Sequence, residues 1–294
     1  MKMTPQRPEG LLAAIMMITA CTALGIEPTH RDIEFAKVGE HSLKLDVYLP
    51  EAKNPPLIVW VHGGAWRAGS KEGMQIPGII AHGFAIASVG YRLSPVAKFP
   101  AQVHDIKAAI RFLRAYVSDY GFDSSKVIIA GASAGGHLAA LVGVTNGHPE
   151  LEGTVGNHSD QSSDVQAIVD FYGPTNFMTI LKQSTPHGLG VRIPALQLLL
   201  RAQPEDVPDL ANLASPVFHV DGNDPPLLLI HGDQDPQVPI NQSHELHGKY
   251  KSLGLGDRVH LEVIHGGLHG GKPFYDEARL KLVAAFIKEA LSSQ

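Results

Sequence analysis

From Ile33 onward the chain alternates between short apolar runs and longer amphipathic stretches. Ile33 to Val38 and Leu43 to Tyr48 change between apolar and polar residues with the two-residue period of half-buried strands, and predict an opening β-hairpin. Leu57-Ile58-Val59-Trp60-Val61 has no polar position, as expected of a strand covered on both faces. Ala85 to Val89, Val127 to Ala130, Val165 to Phe171, Leu227 to Ile230 and Val259 to Val263 are further strand candidates. Helical patterns lie between them, over Ala101 to Tyr120, Ala134 to Thr145, Asn241 to Leu253 and Asp276 to Leu291. Strands alternating with amphipathic helices predict an α/β fold with one mostly parallel sheet covered on both sides. No repeat, low-complexity tract or linker divides residues 30–294, which are expected to form a single domain. The rhythm breaks once, from about Asn176 to Val217, where Pro186, Pro194, Pro204, Pro208 and Pro216 surround the apolar Ala195 to Leu200. This stretch reads as a lid or pocket insertion carrying a short helix. Its Leu196 and Leu198 to Leu200 face either the pocket or the core.

Composition narrows the function. The 294 residues are 44% hydrophobic and 18% charged, which supports a large buried core and excludes wholesale disorder. Lys+Arg is 24 against 29 for Asp+Glu, a formal charge of −5, with no basic block. A nucleic-acid partner is not expected, because neutralising phosphates needs a basic surface. The one cysteine, Cys21, excludes an internal disulfide, a CxxC redox site and a cysteine-based zinc site.

The first residues read as an address. Lys2 and Arg7 precede the apolar run Leu11 to Ala20, too short for the roughly 20 helical residues that span a bilayer and suited to the h-region of a signal peptide. Ile18-Thr19-Ala20-Cys21 resembles a bacterial lipobox, in which cleavage leaves Cys21 to be lipidated. Residues 1–20 are therefore expected to direct export to the periplasm or beyond, with membrane attachment only through a lipid on Cys21.

The strongest chemical signal is Gly131-Ala132-Ser133-Ala134-Gly135, a G-x-S-x-G pattern between a strand and a helix. A serine on so sharp a turn needs small neighbours, and all four are Gly or Ala. The second signal, His62-Gly63-Gly64-Ala65-Trp66, directly follows the first buried strand. Acyl transfer passes through an oxyanion that needs backbone N–H donors. Gly63 and Gly64 supply them from this loop, and Ala134 supplies one from the elbow. His62 reads as a residue that fixes the loop. Trp66 either lines the substrate pocket or packs beneath the loop.

A serine hydroxyl needs a base, and on this fold the order is Ser, Asp, His. After Leu227 to Ile230 come two carboxylates, Asp233 and Asp235. Asp235 lies further into the loop and is the expected triad acid, with Asp233 ordering the loop. After Val259 to Val263 comes His265-Gly266-Gly267-Leu268-His269. His265 is too close to the strand end, so His269 is the expected base. The His265/His269 spacing is also that of zinc motifs, but it falls in a glycine-rich loop without HExxH. His244 and His247 read as solvated helix positions. No metal and no cofactor are expected.

With these residues in place, the chain resembles the α/β-hydrolase superfamily and, within it, the hormone-sensitive-lipase-like esterases. The HGGAW loop, Tyr91 to Pro95, Phe99 to Gln102 with Asp105, the GASAGGHLAAL elbow and the HGDQDPQVP and GGLHGG loops carry the resemblance, over about Leu43 to Leu291. The subgroup it most resembles is the bifunctional feruloyl/acetylxylan esterase type, through HGGxW and Ser215 to Val220. That resemblance implies Ser133, Asp235 and His269 as the triad, with Gly63, Gly64 and Ala134 at the oxyanion hole. Ala65 departs from the usual HGGG; its N–H still donates, but it narrows the room for bulky tertiary alcohols. Arg92 and Asp105 are expected to form a buried pair fixing loop to helix.

The expected function is a serine carboxylester hydrolase acting on short acyl groups, acetyl above all and including acetyl or feruloyl esters of xylan-type carbohydrates. Two other readings stay open. One is an amidase, arylformamidase or peptidase with the same triad. The other is a non-catalytic binding protein of the same fold.

Overall fold

The computed structural model describes residues 26–293, so the expected export signal and Cys21 lie outside the described residues. Eight strands make one sheet: β1 (His30–Val38), β2 (His41–Tyr48), β3 (Pro56–Val61), β4 (Ala85–Val89), β5 (Asp123–Ala132), β6 (Ala167–Phe171), β7 (Leu227–Gly232) and β8 (Val259–Ile264). Their order is β1-β2-β4-β3-β5-β6-β7-β8. The β1/β2 hairpin and the β2/β4 pair are antiparallel, and every pair from β4/β3 to β7/β8 is parallel. This is the expected α/β-hydrolase sheet. The described helices are α1 (Ala101–Ala115), α2 (Val117–Tyr120), α3 (Ala134–Gly143), α4 (Pro149–Glu152), α5 (Phe177–Gln183), α6 (Pro186–Leu200), α7 (Pro208–Leu213), α8 (Asn241–Ser252) and α9 (Glu277–Ser292).

The uninterrupted apolar strands are explained by their two faces. Leu57, Val59 and Val61 of β3 join Ile129, Leu227 and Leu229 in a core that also holds Val103 and Ile110 of α1 and Leu138 of α3. The alternate residues Ile58 and Trp60 join Ile128, Leu228 and Ile230 in a second core closed by Val283 and Ile287 of α9. Side chains alternate across a strand, so a strand covered on both faces needs an apolar residue at every position.

Two expectations are corrected. The helix expected over Ala101 to Tyr120 is broken at Tyr116 (φ −108°, ψ 24°) into α1 and the short α2. Val117, Ser118 and Asp119 are weak helix formers. The Tyr116 ring packs on Phe112 and His158 instead, and Gly121 in the left-handed region caps α2 separately.

The insertion expected to carry a short helix carries three, the longest of 15 residues. Pro186, Pro204, Pro208 and Pro216 each open a helix or 3-10 turn, where a missing N–H costs nothing. Thr185 caps α6 by accepting from the Gly188 N–H at 3.1 Å. Leu196, Leu199 and Leu200 face the core and not the pocket. The insertion is also tied down. Gln242 of α8 accepts from the Thr175 and Asn176 N–H groups and donates to Gln183 and Thr179. Glu245 accepts from Asn176 and Gln183.

Candidate active site

The loops that carry the predicted chemistry all leave the carboxyl ends of parallel strands, where open α/β sheets bind ligands. A concavity of about 820 Å³, lined in part by Asp224, Arg258 and Phe286, opens at the opposite, amino ends of β6 to β8. It is remote from these loops and holds none of the predicted site residues.

Ser133 sits between β5 and α3 with φ 56° and ψ −119°, a conformation that side chains seldom adopt. The surroundings hold it there. Its N–H donates to the Phe171 carbonyl at 2.8 Å, and α3 packs directly on the sheet. A methyl group on Gly135 would lie 2.1 Å from the Val61 oxygen, so only glycine lets the helix come this close. The serine is raised above the strand ends at the start of α3, where the helix dipole favours negative charge.

The structure brings Ser133, His269 and Asp235 together. His269 Nε2 lies 2.9 Å from Ser133 Oγ, and His269 Nδ1 lies 2.7 Å from Asp235 Oδ2. Asp235 is oriented by the Gln237 and Val238 N–H groups, which donate to its Oδ1 at 2.8 and 2.9 Å. Burial alone would push this carboxyl up. Hydrogen bonds from His231 and His269 reverse that and hold it well below the usual carboxylate range. His269 moves the other way: burial favours its neutral ring and outweighs the attraction of Asp235, so its pKa falls below the ordinary histidine value. The second acid, Asp233, pairs instead with the exposed His265 at 3.0 Å and accepts from the Gly266 N–H at 2.7 Å. It orders the loop, as expected.

Gly63 faces the nucleophile: a methyl group placed there would lie 3.4 Å from Ser133 Cβ. Gly64 has φ 110° and its carbonyl takes the N–H groups of Arg67 and Ala68, which folds the loop back on itself. Among the described residues nothing accepts from the N–H groups of Gly63, Gly64 or Ala134. Unpaired backbone donors are uncommon in folded chains, and two of these belong to residues that adjoin Ser133, Gly63 across the loop and Ala134 next in the chain.

His62 is buried and stacks on Tyr91 at 4.3 Å, while its Nδ1 lies 2.8 Å from the Gly63 carbonyl. Burial pushes its pKa down to about 4, so it stays a neutral brace. The Arg92 guanidinium grips Asp105 through several hydrogen bonds of 2.6–3.1 Å, and the Arg92 N–H adds another at 2.9 Å. This is the expected clamp between loop and α1. Trp66 is fully buried, with its Nε1–H donating to His137 Nδ1 at 3.1 Å. It therefore occupies the position beneath the loop.

Residues 45–250, which include the His62–Trp66 loop, the elbow and Asp235, match the BD-FAE family. The chain belongs to this family. Esterase LipC of Mycobacterium tuberculosis is 32% identical over 221 residues, which are 74% of this chain and 53% of LipC. The chain thus spans about half the length of that relative. Among solved structures, a truncated carbohydrate esterase from gut microbiota is 34% identical with a TM-score of 0.79, covering 88% of this chain and 95% of that one. Thermogutta terrifontis esterase 2, phosphonylated by sarin, is 26% identical with a TM-score of 0.75 over 89% and 95% of the two chains.

In this BD-FAE chain three supporting residues escape a reading of the sequence. His231, fully buried at the end of β7, places Nε2 2.9 Å from the Val238 carbonyl and 3.4 Å from Asp235 Oδ2, behind the acid. His137 joins three elements: it accepts from Trp66, places Nε2 2.6 Å from the Ala214 carbonyl, and stacks on Phe177 of the insertion at 4.7 Å. Its signal was present, a lone histidine in an otherwise small and apolar α3. Tyr172 follows β6 with φ 46° and sets its ring edge-on to His269 at 4.7 Å. No periodicity marks that position.

Proposed function

We propose that this chain is a serine carboxylic ester hydrolase that cleaves short acyl esters, with acetylated or feruloylated carbohydrates as the substrate class. The carrying observation is the continuous Asp235–His269–Ser133 hydrogen-bond chain beside three unpartnered backbone N–H groups. In the proposed reaction, Ser133 Oγ attacks the ester carbonyl as His269 Nε2 takes its proton. The oxyanion is held by the Gly63, Gly64 and Ala134 N–H groups. Collapse breaks the bond to the alcohol oxygen, which receives the proton from His269. Water, deprotonated by His269, then attacks the acyl-enzyme and releases the acid and Ser133.

Small acyl groups are favoured because Ser133 is only 9% exposed. The similarity to a carbohydrate esterase supports the alcohol side. The proposal extends to export, on the strength of Lys2, Arg7, the run Leu11 to Ala20 and Cys21.

The test is hydrolysis of p-nitrophenyl acetate, butyrate and octanoate, methyl ferulate and acetylated xylan. Acetate and butyrate are expected to turn over well and octanoate poorly, with acetate released from xylan. A chain that cleaves octanoate best, or that cleaves none of these, overturns the reading.

The pH profile follows from His269. The base acts only when unprotonated, and its pKa lies below 6.5. Activity is therefore present above that pKa and lost as pH falls through it. The acid limb of kcat/KM for p-nitrophenyl acetate is expected to have its midpoint below pH 6.5. A midpoint at or above 6.5 contradicts the buried, neutral base.

A further inference from the structure

The loop that carries the base does not by itself fix where the imidazole points. Gly266, Gly270 and Gly271 around His269 lie in the left-handed region, with φ of 70°, 89° and 101°, and Leu268 beside it is exposed. Glycine has no side chain to limit its backbone. The hydrogen bond to Asp235 holds Nδ1 but lets the ring turn about it. The hydrogen bond to Ser133 is given up each time the serine attacks. A third contact has to hold the ring plane.

Tyr172 makes that contact. Its ring stands edge-on to His269, with centroids 4.7 Å apart and an interplanar angle of 62°. The main chain of the loop meets the same side chain: a methyl group on Gly270 would lie 2.8 Å from Tyr172 Oη. The phenol is itself held. Its ring packs edge-on against Phe274 at 4.9 Å, and its hydroxyl bonds to that of Tyr275. Tyr275 donates to Gln75 Oε1 at 2.8 Å, so the Tyr172 hydroxyl is the donor to Tyr275. Burial pushes both phenols above their ordinary range, so both keep their protons. The chain of contacts thus runs from the loop after β8 to the end of β6, to the turn before α9, and to Gln75 between β3 and β4.

The backbone at Tyr172 is strained to make it. A φ of 46° is rare for a bulky residue, and Gly173, which would take it at no cost, follows directly. The Tyr172 N–H donates to the Ile230 carbonyl at 2.9 Å and holds the conformation. Strain of this kind clusters at functional sites, where the surroundings over-determine it.

We propose that Tyr172 is the positioning residue of the base: its ring, tethered through Tyr275 to Gln75, sets the direction from which His269 Nε2 meets Ser133 Oγ. The proposal rests on the esterase reading above and adds a residue to its site.

The experiment measures kcat and KM separately for p-nitrophenyl acetate in wild type, Tyr172→Leu, Tyr172→Phe, Tyr275→Phe and the double phenylalanine variant, each well below its melting temperature. Tyr172→Leu removes the ring edge. It is expected to lower kcat about 10- to 100-fold, the scale of a misplaced reacting group, with KM within about threefold of wild type. Tyr172→Phe restores the ring without its tether and is expected to recover most of kcat, leaving a loss of about two- to fivefold, the worth of one hydrogen bond. Tyr275→Phe breaks the same tether and is expected to match it, with the double variant no slower than the slower single one. A loss confined to KM overturns the proposal, and so does a Tyr172→Leu kcat within about twofold of wild type. If Tyr172→Leu does not fold, the phenylalanine variants decide: both at wild-type kcat, or losses that multiply in the double variant, overturn it. Wild type that turns over no ester sinks the esterase reading itself, whereas active wild type with indifferent variants sinks this inference alone.

Discussion

Ser133→Ala is expected to lower kcat/KM for p-nitrophenyl acetate by on the order of a hundred-thousand- to a million-fold, about 7–8 kcal/mol of transition-state stabilisation. The nucleophilic oxygen is the only heavy atom removed, and with it goes the hydroxyl that His269 Nε2 faces at 2.9 Å. Stability should change little. The Ser133 N–H bond to Phe171 is unaffected, and alanine inherits the same backbone conformation. The variant should therefore melt within a few degrees of wild type and fail to react with a fluorophosphonate that labels the parent. Retention of more than about a hundredth of the activity would remove Ser133 from the chemistry. Retained binding of an ester with no turnover and no labelling of wild type would point instead to a binding protein.

Asp235→Asn is expected to cost about ten-thousand-fold in kcat/KM. The asparagine oxygen can still accept from Gln237 and Val238, so the loop keeps its shape. The amide nitrogen then faces His269 Nδ1, where a carboxylate oxygen stood. Two N–H donors cannot share that space, so His269 shifts its proton to Nε2 and can no longer take one from Ser133. The protonated ring also loses the anion that stabilises it. Raising the pH should not restore the rate, because the fault is in the tautomer and not in the charge. Asp233→Asn is the control. Its partner His265 is on the exposed rim, and its loss should leave the rate near that of wild type. Equal losses in the two variants would show that the loop, and not the acid, had been damaged.

The strand positions, the elbow and the meeting of Ser133, Asp235 and His269 were legible because each follows from local chemistry. The two-faced burial of β3, β5 and β7 leaves an unbroken apolar run in each, and the turn at Ser133 has only Gly or Ala beside it. The choice of Asp235 over Asp233 rested on reach along the loop, which the backbone obeys. The rest depends on contacts that no local pattern records. Prolines 186, 204, 208 and 216 suggested irregular chain, yet each opens a helical turn, so a signal of interruption was one of initiation. Trp66 could be assigned to the pocket or the core only once His137 and Phe177 were seen around it.

The contact between Gly135 and the Val61 carbonyl sets a boundary on how such a chain can diverge. The height of the nucleophile above the sheet is fixed by main chain touching main chain, so no exchange of side chains can retune it by degrees. The insertion is different: it hangs on Gln242, Glu245 and Thr185, each a side chain that a single codon can replace. Reaction centre and selectivity are thus carried by parts of unequal plasticity, one frozen in the backbone and one open to piecemeal revision. A lineage built on this plan can acquire new esters without having to reinvent how it breaks them.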